Sequence, residues 1–242
     1  MKINTLVALS ILLSICSYAQ EVQTISFLSI DSLEITADLY KVDDNKPYML
    51  LCHQAGYSRA EYRETAPMFN QMGYNCLAID QRSGNAVYKV INETAKRATD
   101  KGLRRMYIDA YQDMEASLIY LYKKGDNKKV VLVGSSYSAA LVFKLAVDHP
   151  EMVLMVMAFS PGEYIQDHSV KEWVQQVTVP VFITSSKSEI PVIKMMIEGG
   201  ANKKLVHFLP EQEGIHGSRA LWKTTPNNSK YWEVVTKFLS TK

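Results

Sequence analysis

Apolar and polar residues alternate from Thr24 to Tyr40 around Asp31-Ser32, which predicts an antiparallel hairpin with one face in water. The pattern then changes. Tyr48 to Cys52, Asn75 to Ile79, Val130 to Val133, Val153 to Phe159, Val181 to Thr184 and Leu205 to Leu209 are short apolar runs without alternation, as expected of strands buried on both faces of a parallel sheet. Helical stretches separate them. Ser58 and Glu61 have capping-box spacing for a helix that ends near Gly73. Tyr107 to Lys124 puts Ala110, Met114, Leu118 and Leu121 on one face, Ser138 to Val147 stops before His149-Pro150, and Ser229 to Leu239 is amphipathic. Strands alternating with helices after a hairpin predict an α/β fold with a mostly parallel central sheet and helices on both faces. Right-handed crossovers then gather the strand-to-helix loops at one sheet edge.

The first residues have a different pattern. Lys2, an apolar stretch from Leu6 to Ile15 and the small residues Ser17 and Ala19 read as a signal peptide, residues 1–19, cleaved before Gln20. The apolar stretch is short for a membrane span. An exported protein, periplasmic or extracellular, is expected, with a lipoprotein through Cys16 as the weaker alternative because Ile15 is bulky. No linker or repeat divides residues 20–242, so one domain is expected there.

Composition narrows the class of partner. With 27 Lys+Arg against 25 Asp+Glu, the formal charge of +2 supplies no basic field for nucleic acid. Beyond Cys16, the cysteines are Cys52 and Cys76, both in strand-like runs, which suits core packing or a single bridge. Nothing in the His and Cys spacing suggests a metal site, and no cofactor is expected.

The chemistry concentrates where Val130-Val131-Leu132-Val133 meets Gly134-Ser135-Ser136-Tyr137-Ser138. Small residues two before and two after Ser136 permit a sharp strand-to-helix turn that lifts its hydroxyl above the sheet, although a serine-rich turn can also merely cap a helix. A serine needs a base. Glu213-Gly214-Ile215-His216-Gly217-Ser218 follows the last strand, and its glycines let a loop deliver the His216 ring to the active edge. His149, His168 and His207 lie at a helix end, in a polar loop and inside a strand.

These motifs resemble the α/β-hydrolase family over nearly all of residues 20–242, in its lidless dienelactone-hydrolase-like or serine-esterase-like form. The family pattern is G-x-S-x-G, and Ser138 stands here in place of the last glycine. The resemblance implies Ser136 as nucleophile, His216 as base, and Glu189 as acid in the turn after Val181–Thr184, where the family usually has Asp. Glu163, after the preceding strand, is the rival acid. It further implies an oxyanion hole from the backbone N–H of Tyr137 and that of Gln54 or Ala55, with His53 bracing their loop. Asp80-Gln81-Arg82-Ser83-Gly84 is similar to a structural turn of the family, and the 19 residues from Ser160 to Thr178 leave little length for a lid. The implied activity is a serine hydrolase acting on small-molecule or polymer-linked acyl substrates, with esters ahead of peptides. The other reading is a non-catalytic hydrolase-fold binding protein.

Overall fold

A computed structural model gives the structure of the protein and describes residues 22–241. The expected signal peptide and Cys16 lie outside those residues. Among the described residues ten strands run β1 (Val22–Leu28), β2 (Glu34–Tyr40), β3 (Tyr48–Cys52), β4 (Asn75–Ile79), β5 (Ala86–Val87), β6 (Val90–Ile91), β7 (Val130–Ser135), β8 (Val153–Phe159), β9 (Val181–Thr184) and β10 (Leu205–His207). The helices are α1 (Ala66–Gln71), α2 (Glu93–Asp100), α3 (Tyr111–Lys124), α4 (Tyr137–Asp148), α5 (Val170–Gln176), α6 (Ile190–Ile197) and α7 (Asn228–Leu239). Eight strands form one sheet in the order β1-β2-β4-β3-β7-β8-β9-β10. The β1–β2 and β2–β4 pairs are antiparallel and every other neighbour pair is parallel.

The fully buried strands follow from two cores. Leu50 and Cys52 of β3 face a cluster completed by residues of α3, α4, α5 and α6, such as Leu118, Leu141, Val174 and Ile193. Met49 and Leu51 face the opposite cluster, with Phe69 of α1 and Val235 and Phe238 of α7. Side chains alternate across a strand, so both sets must be apolar, which is why these runs lack a polar alternation. The chain lays β4 on one side of β3 and returns to place β7 on the other. The sheet therefore reverses direction between β3 and β7, which leaves a crevice at their C-terminal ends.

Three local expectations change. The hairpin does turn at Asp31-Ser32, with Ser32 at φ 67°, but β2 is largely buried rather than half wet because it lies inside the sheet beside β4 with α1 and α2 packed against it. Ser58 and Glu61 form no capping box: residues Arg59–Tyr62 make a single 3-10 turn, the Ser58 hydroxyl donates to Val90 O at 2.8 Å, and Glu61 is buried. Strand β10 stops at His207 instead of reaching Leu209. Core packing holds for Cys52 and Cys76, which are both buried and free. They lie on adjacent strands three rungs out of register, since Cys76 opposes Met49 and Cys52 opposes Ile79, so no bridge forms.

Candidate active site

Only Ser136 separates β7 from α4. It holds φ 59° and ψ −121°, a backbone state that costs a non-glycine residue about 1–3 kcal/mol and persists only where neighbours over-determine it. They do so here: Ser136 N donates to Phe159 O at 2.8 Å, and Ser136 O accepts from Ala139 N at 2.9 Å. Gly134 makes the turn possible, because a Cβ there would lie 2.5 Å from Ser138 O and 2.6 Å from Ala139 Cα. Ser138, the departure from the glycine pattern, is fastened. Its hydroxyl donates to His53 O at 2.5 Å and accepts from Gln81 Nε2 at 2.6 Å, joining the elbow to the loops after β3 and β4.

The loop after β3 is braced by His53. Gln81 N donates to its Nε2 at 3.0 Å, which leaves the proton on Nδ1 to donate to Gln54 O at 2.8 Å. Burial pulls this imidazole down to about 4, so it is neutral near pH 7. The two backbone donors left open in the sequence are now distinct. Gln54 N donates to Glu61 Oε2 at 2.7 Å and is used within the protein. Among the described residues Ala55 N and Tyr137 N have no protein acceptor, and Tyr137 N heads α4, where the helix dipole favours developing negative charge.

His216 follows β10 and its side chain is 39% exposed. Its Nδ1 pairs with Glu189 Oε1 at 2.5 Å. The other carboxylate oxygen accepts from Ser186 N at 2.9 Å, Ser186 Oγ at 2.6 Å and Ser160 Oγ at 2.8 Å. Burial alone would raise the Glu189 carboxyl, but the hydrogen bonds from His216, Ser186 and Ser160 outweigh it and hold the group at about 2. The His216 loop is clamped to the elbow's own strand and to the end of β8: Ser218 N donates to Ser135 Oγ at 2.8 Å, and Gly217 N to Ser160 Oγ at 2.9 Å. A Cβ at Gly217 would sit 2.5 Å from Ser135 Oγ. Ser136, Glu189 and His216 thus follow the C-terminal ends of β7, β9 and β10; the ring is hydrogen-bonded to Glu189, and among the described residues no hydrogen bond joins it to Ser136.

The rivals lie elsewhere. Glu163 accepts from Val170 N at 2.7 Å and Lys171 N at 2.9 Å, capping α5. His149 pairs with Glu115 at 2.7 Å, His168 packs against Trp173, and His207 remains in β10. The loop Asp80–Gly84 is structural. Asp80 binds Arg59, the buried Arg82 binds Asp113 and Asp31, and a Cβ on Gly84 would meet Tyr57 O at 2.2 Å.

Several aromatic groups lie on the loops of this region. The Tyr164 hydroxyl faces the Ser136 side chain, and the exposed Tyr107 stacks on Tyr137 with ring centroids 4.5 Å apart. Tyr57 and Tyr88 flank Trp222. Sequence reasoning missed Ser135, Ser160 and Ser218, which carry no motif of their own, and it assigned Glu61 to a helix cap.

No family model matches this sequence, and no curated protein matches it. Solved structures do. An esterase of Pyrococcus furiosus is 14% identical with a TM-score of 0.68, covering 91% of this chain and 90% of that one. A dienelactone hydrolase from Anabaena variabilis is 17% identical with a TM-score of 0.68, over 91% and 97%. A carboxyl esterase from Bacillus coagulans is 12% identical with a TM-score of 0.66, over 90% and 98%. Sheet order, strand-end loops and these likenesses agree that the chain has the α/β-hydrolase fold.

Proposed function

We propose that the protein is a serine hydrolase that cleaves carboxylic esters through an acyl-enzyme. The observation that carries this reading is the 2.5 Å His216–Glu189 hydrogen bond on a loop tied to the strand that presents Ser136. The likeness to esterases and to a dienelactone hydrolase supports the same chemistry.

In this mechanism Ser136 Oγ attacks the acyl carbonyl while His216 Nε2 takes its proton. Glu189, held ionised, fixes the tautomer with hydrogen on Nδ1 and stabilises the imidazolium. The carbonyl oxygen becomes an oxyanion and is met by Ala55 N–H and Tyr137 N–H, each donor of this kind being worth about 10²–10³ in rate. His216 then returns its proton to the departing alcohol. Water, activated by the same imidazole, releases the acid and regenerates Ser136. Esters rank ahead of amides because an alkoxide leaves more readily than an amine anion. Export of the chain after cleavage before Gln20 belongs to the same proposal and rests on the amino-terminal pattern.

The test is intact-mass analysis of residues 20–242 after exposure to a fluorophosphonate, with Ser136→Ala as control. One adduct, absent in the variant, is the expected result. Folded protein that takes no adduct and hydrolyses no activated ester between about pH 5 and 9 overturns the reading.

A further inference from the structure

Glu61 is fully buried, makes no salt bridge among the described residues, and has no part in the acyl-transfer steps. A carboxylate in such a place is costly unless its oxygens are occupied. Its partners come from three parts of the site. Oε1 accepts from Ser135 Oγ at 2.7 Å, adjacent in sequence to the nucleophile, and from Ser218 Oγ at 2.6 Å, two residues beyond His216. Oε2 accepts from Gln54 N at 2.7 Å, adjacent to the Ala55 donor. The Glu61 carbonyl accepts from Trp222 Nε1 at 2.9 Å, at the end of the short helical turn that follows His216. Ser135 Oγ also accepts from Ser218 N at 2.8 Å, which closes the network.

We infer that Glu61 is a positioning residue for the serine-hydrolase reaction, the buried tie that keeps the oxyanion loop, the elbow strand and the His216 loop in mutual register. The inference rests on the function proposed above. Three segments far apart in the chain converge on one carboxylate, and each has a neighbour with an assigned chemical role. Four-atom reach matters: an aspartate in the same 3-10 turn would fall short of at least one donor. Burial pushes the Glu61 carboxyl up, while Ser218, Gln54, Ser135 and the charge of Arg219 favour its ionised form. Gln81 and Asn92 hold the loop after β3 from its other side through His53, so loss of Glu61 releases one side of that loop and leaves the other in place.

Two variants separate this role from simple stability. Ser218→Ala cuts only the tie to the His216 loop and keeps the Ser218 N–H bond to Ser135. Glu61→Gln preserves the shape: its carbonyl can accept from Gln54 N, and its amide can donate to the Ser135 and Ser218 hydroxyls. The readouts are the second-order rate of fluorophosphonate labelling at Ser136, kcat and KM on an activated ester, and thermal unfolding. For Ser218→Ala the labelling rate and kcat should fall about tenfold with KM unchanged, measured well below the melting temperature, because displacement of a reacting group by a fraction of an ångström costs rate rather than affinity. Glu61→Gln should stay within about threefold of the wild type, and Glu61→Ala, where it folds, should fall about 100-fold. Wild-type labelling rate and kcat in folded Ser218→Ala overturn the inference, as does a Glu61→Gln loss equal to that of Ser218→Ala or larger. Failure of the wild type itself to label refutes the serine-hydrolase reading instead, so the two failures are distinguishable.

Discussion

Glu189→Gln exposes the logic of the site most sharply. Three donors converge on Glu189 Oε2 and only His216 Nδ1 faces Oε1. A glutamine therefore keeps its carbonyl oxygen toward Ser160 and Ser186 and presents its NH2 to Nδ1. That amide can only donate, so Nδ1 must accept and the ring proton moves to Nε2, where the base needs a lone pair. The expected loss in kcat is about 10³–10⁴, equivalent to roughly 4–5.5 kcal/mol of transition-state stabilisation. It falls short of the roughly 10⁶ expected when nucleophile or base is removed. Stability changes as well. Lowering of the Glu189 pKa from 4.5 to about 2 on folding corresponds to about 3 kcal/mol favouring the ionised form. The folded-state pKa is the lower one, so this contribution is complete above about pH 4.5 and is lost as the pH falls toward about 2. Urea unfolding should therefore show wild type and Glu189→Gln well separated at neutral pH and converging in strong acid. Kinetics on an activated ester at neutral pH supply the other half of the assay, with Glu163→Gln as the paired control expected to keep full activity. Activity of Glu189→Gln within tenfold of wild type, together with a large loss in Glu163→Gln, would refute the assignment.

Three further outcomes are expected. Gly134→Ala places a methyl against the first-turn backbone of α4, which cannot rotate away, and should cost about 1–3 kcal/mol in urea unfolding along with most of the fluorophosphonate labelling. Ser138→Gly restores the family's glycine but strips His53 O of its donor and Gln81 Nε2 of one acceptor; a lower melting temperature, by about 1–3 kcal/mol of stability, is expected while labelling persists. Arg82→Met leaves the buried Asp113 without its guanidinium and should cost about 3–5 kcal/mol at pH 7. Burial raises the Asp113 carboxyl already, so the orphaned group takes up a proton as the pH falls, and the deficit should be smaller at pH 5 in the same measurement.

The sheet was legible because its cause is local and repetitive. A strand covered on both faces must be apolar at every position, and that requirement shows directly as runs such as Val153 to Phe159. Ser136 was legible for a similar reason: a sharp turn demands small neighbours at fixed spacing, and Gly134 lies where a Cβ would strike backbone. The edges of elements were less clear. Ser58 and Glu61 have the spacing of a capping box, yet that spacing also suits a single 3-10 turn that sends a carboxylate inward. A real capping box formed at Ser186 and Glu189 instead, on the residue expected to serve as acid.

The sequence by itself determined most of the strand and helix series and the elbow at Ser136, since each depends on residues close together in the chain. Tertiary structure decided which acid meets His216, because Glu163 and Glu189 both follow strands, yet Glu189 is hydrogen-bonded to the ring while Glu163 caps α5. It also decided that Gln54 N is spent on Glu61 while Ala55 N stays open, and that Cys52 and Cys76 sit out of register. The Glu61 network brings Gln54, Ser135 and Ser218 onto one carboxylate. Its hydrogen bonds span 74 and 157 positions of chain, and such pairings leave no periodic trace because they are created by the packing of the sheet rather than by any neighbour in sequence.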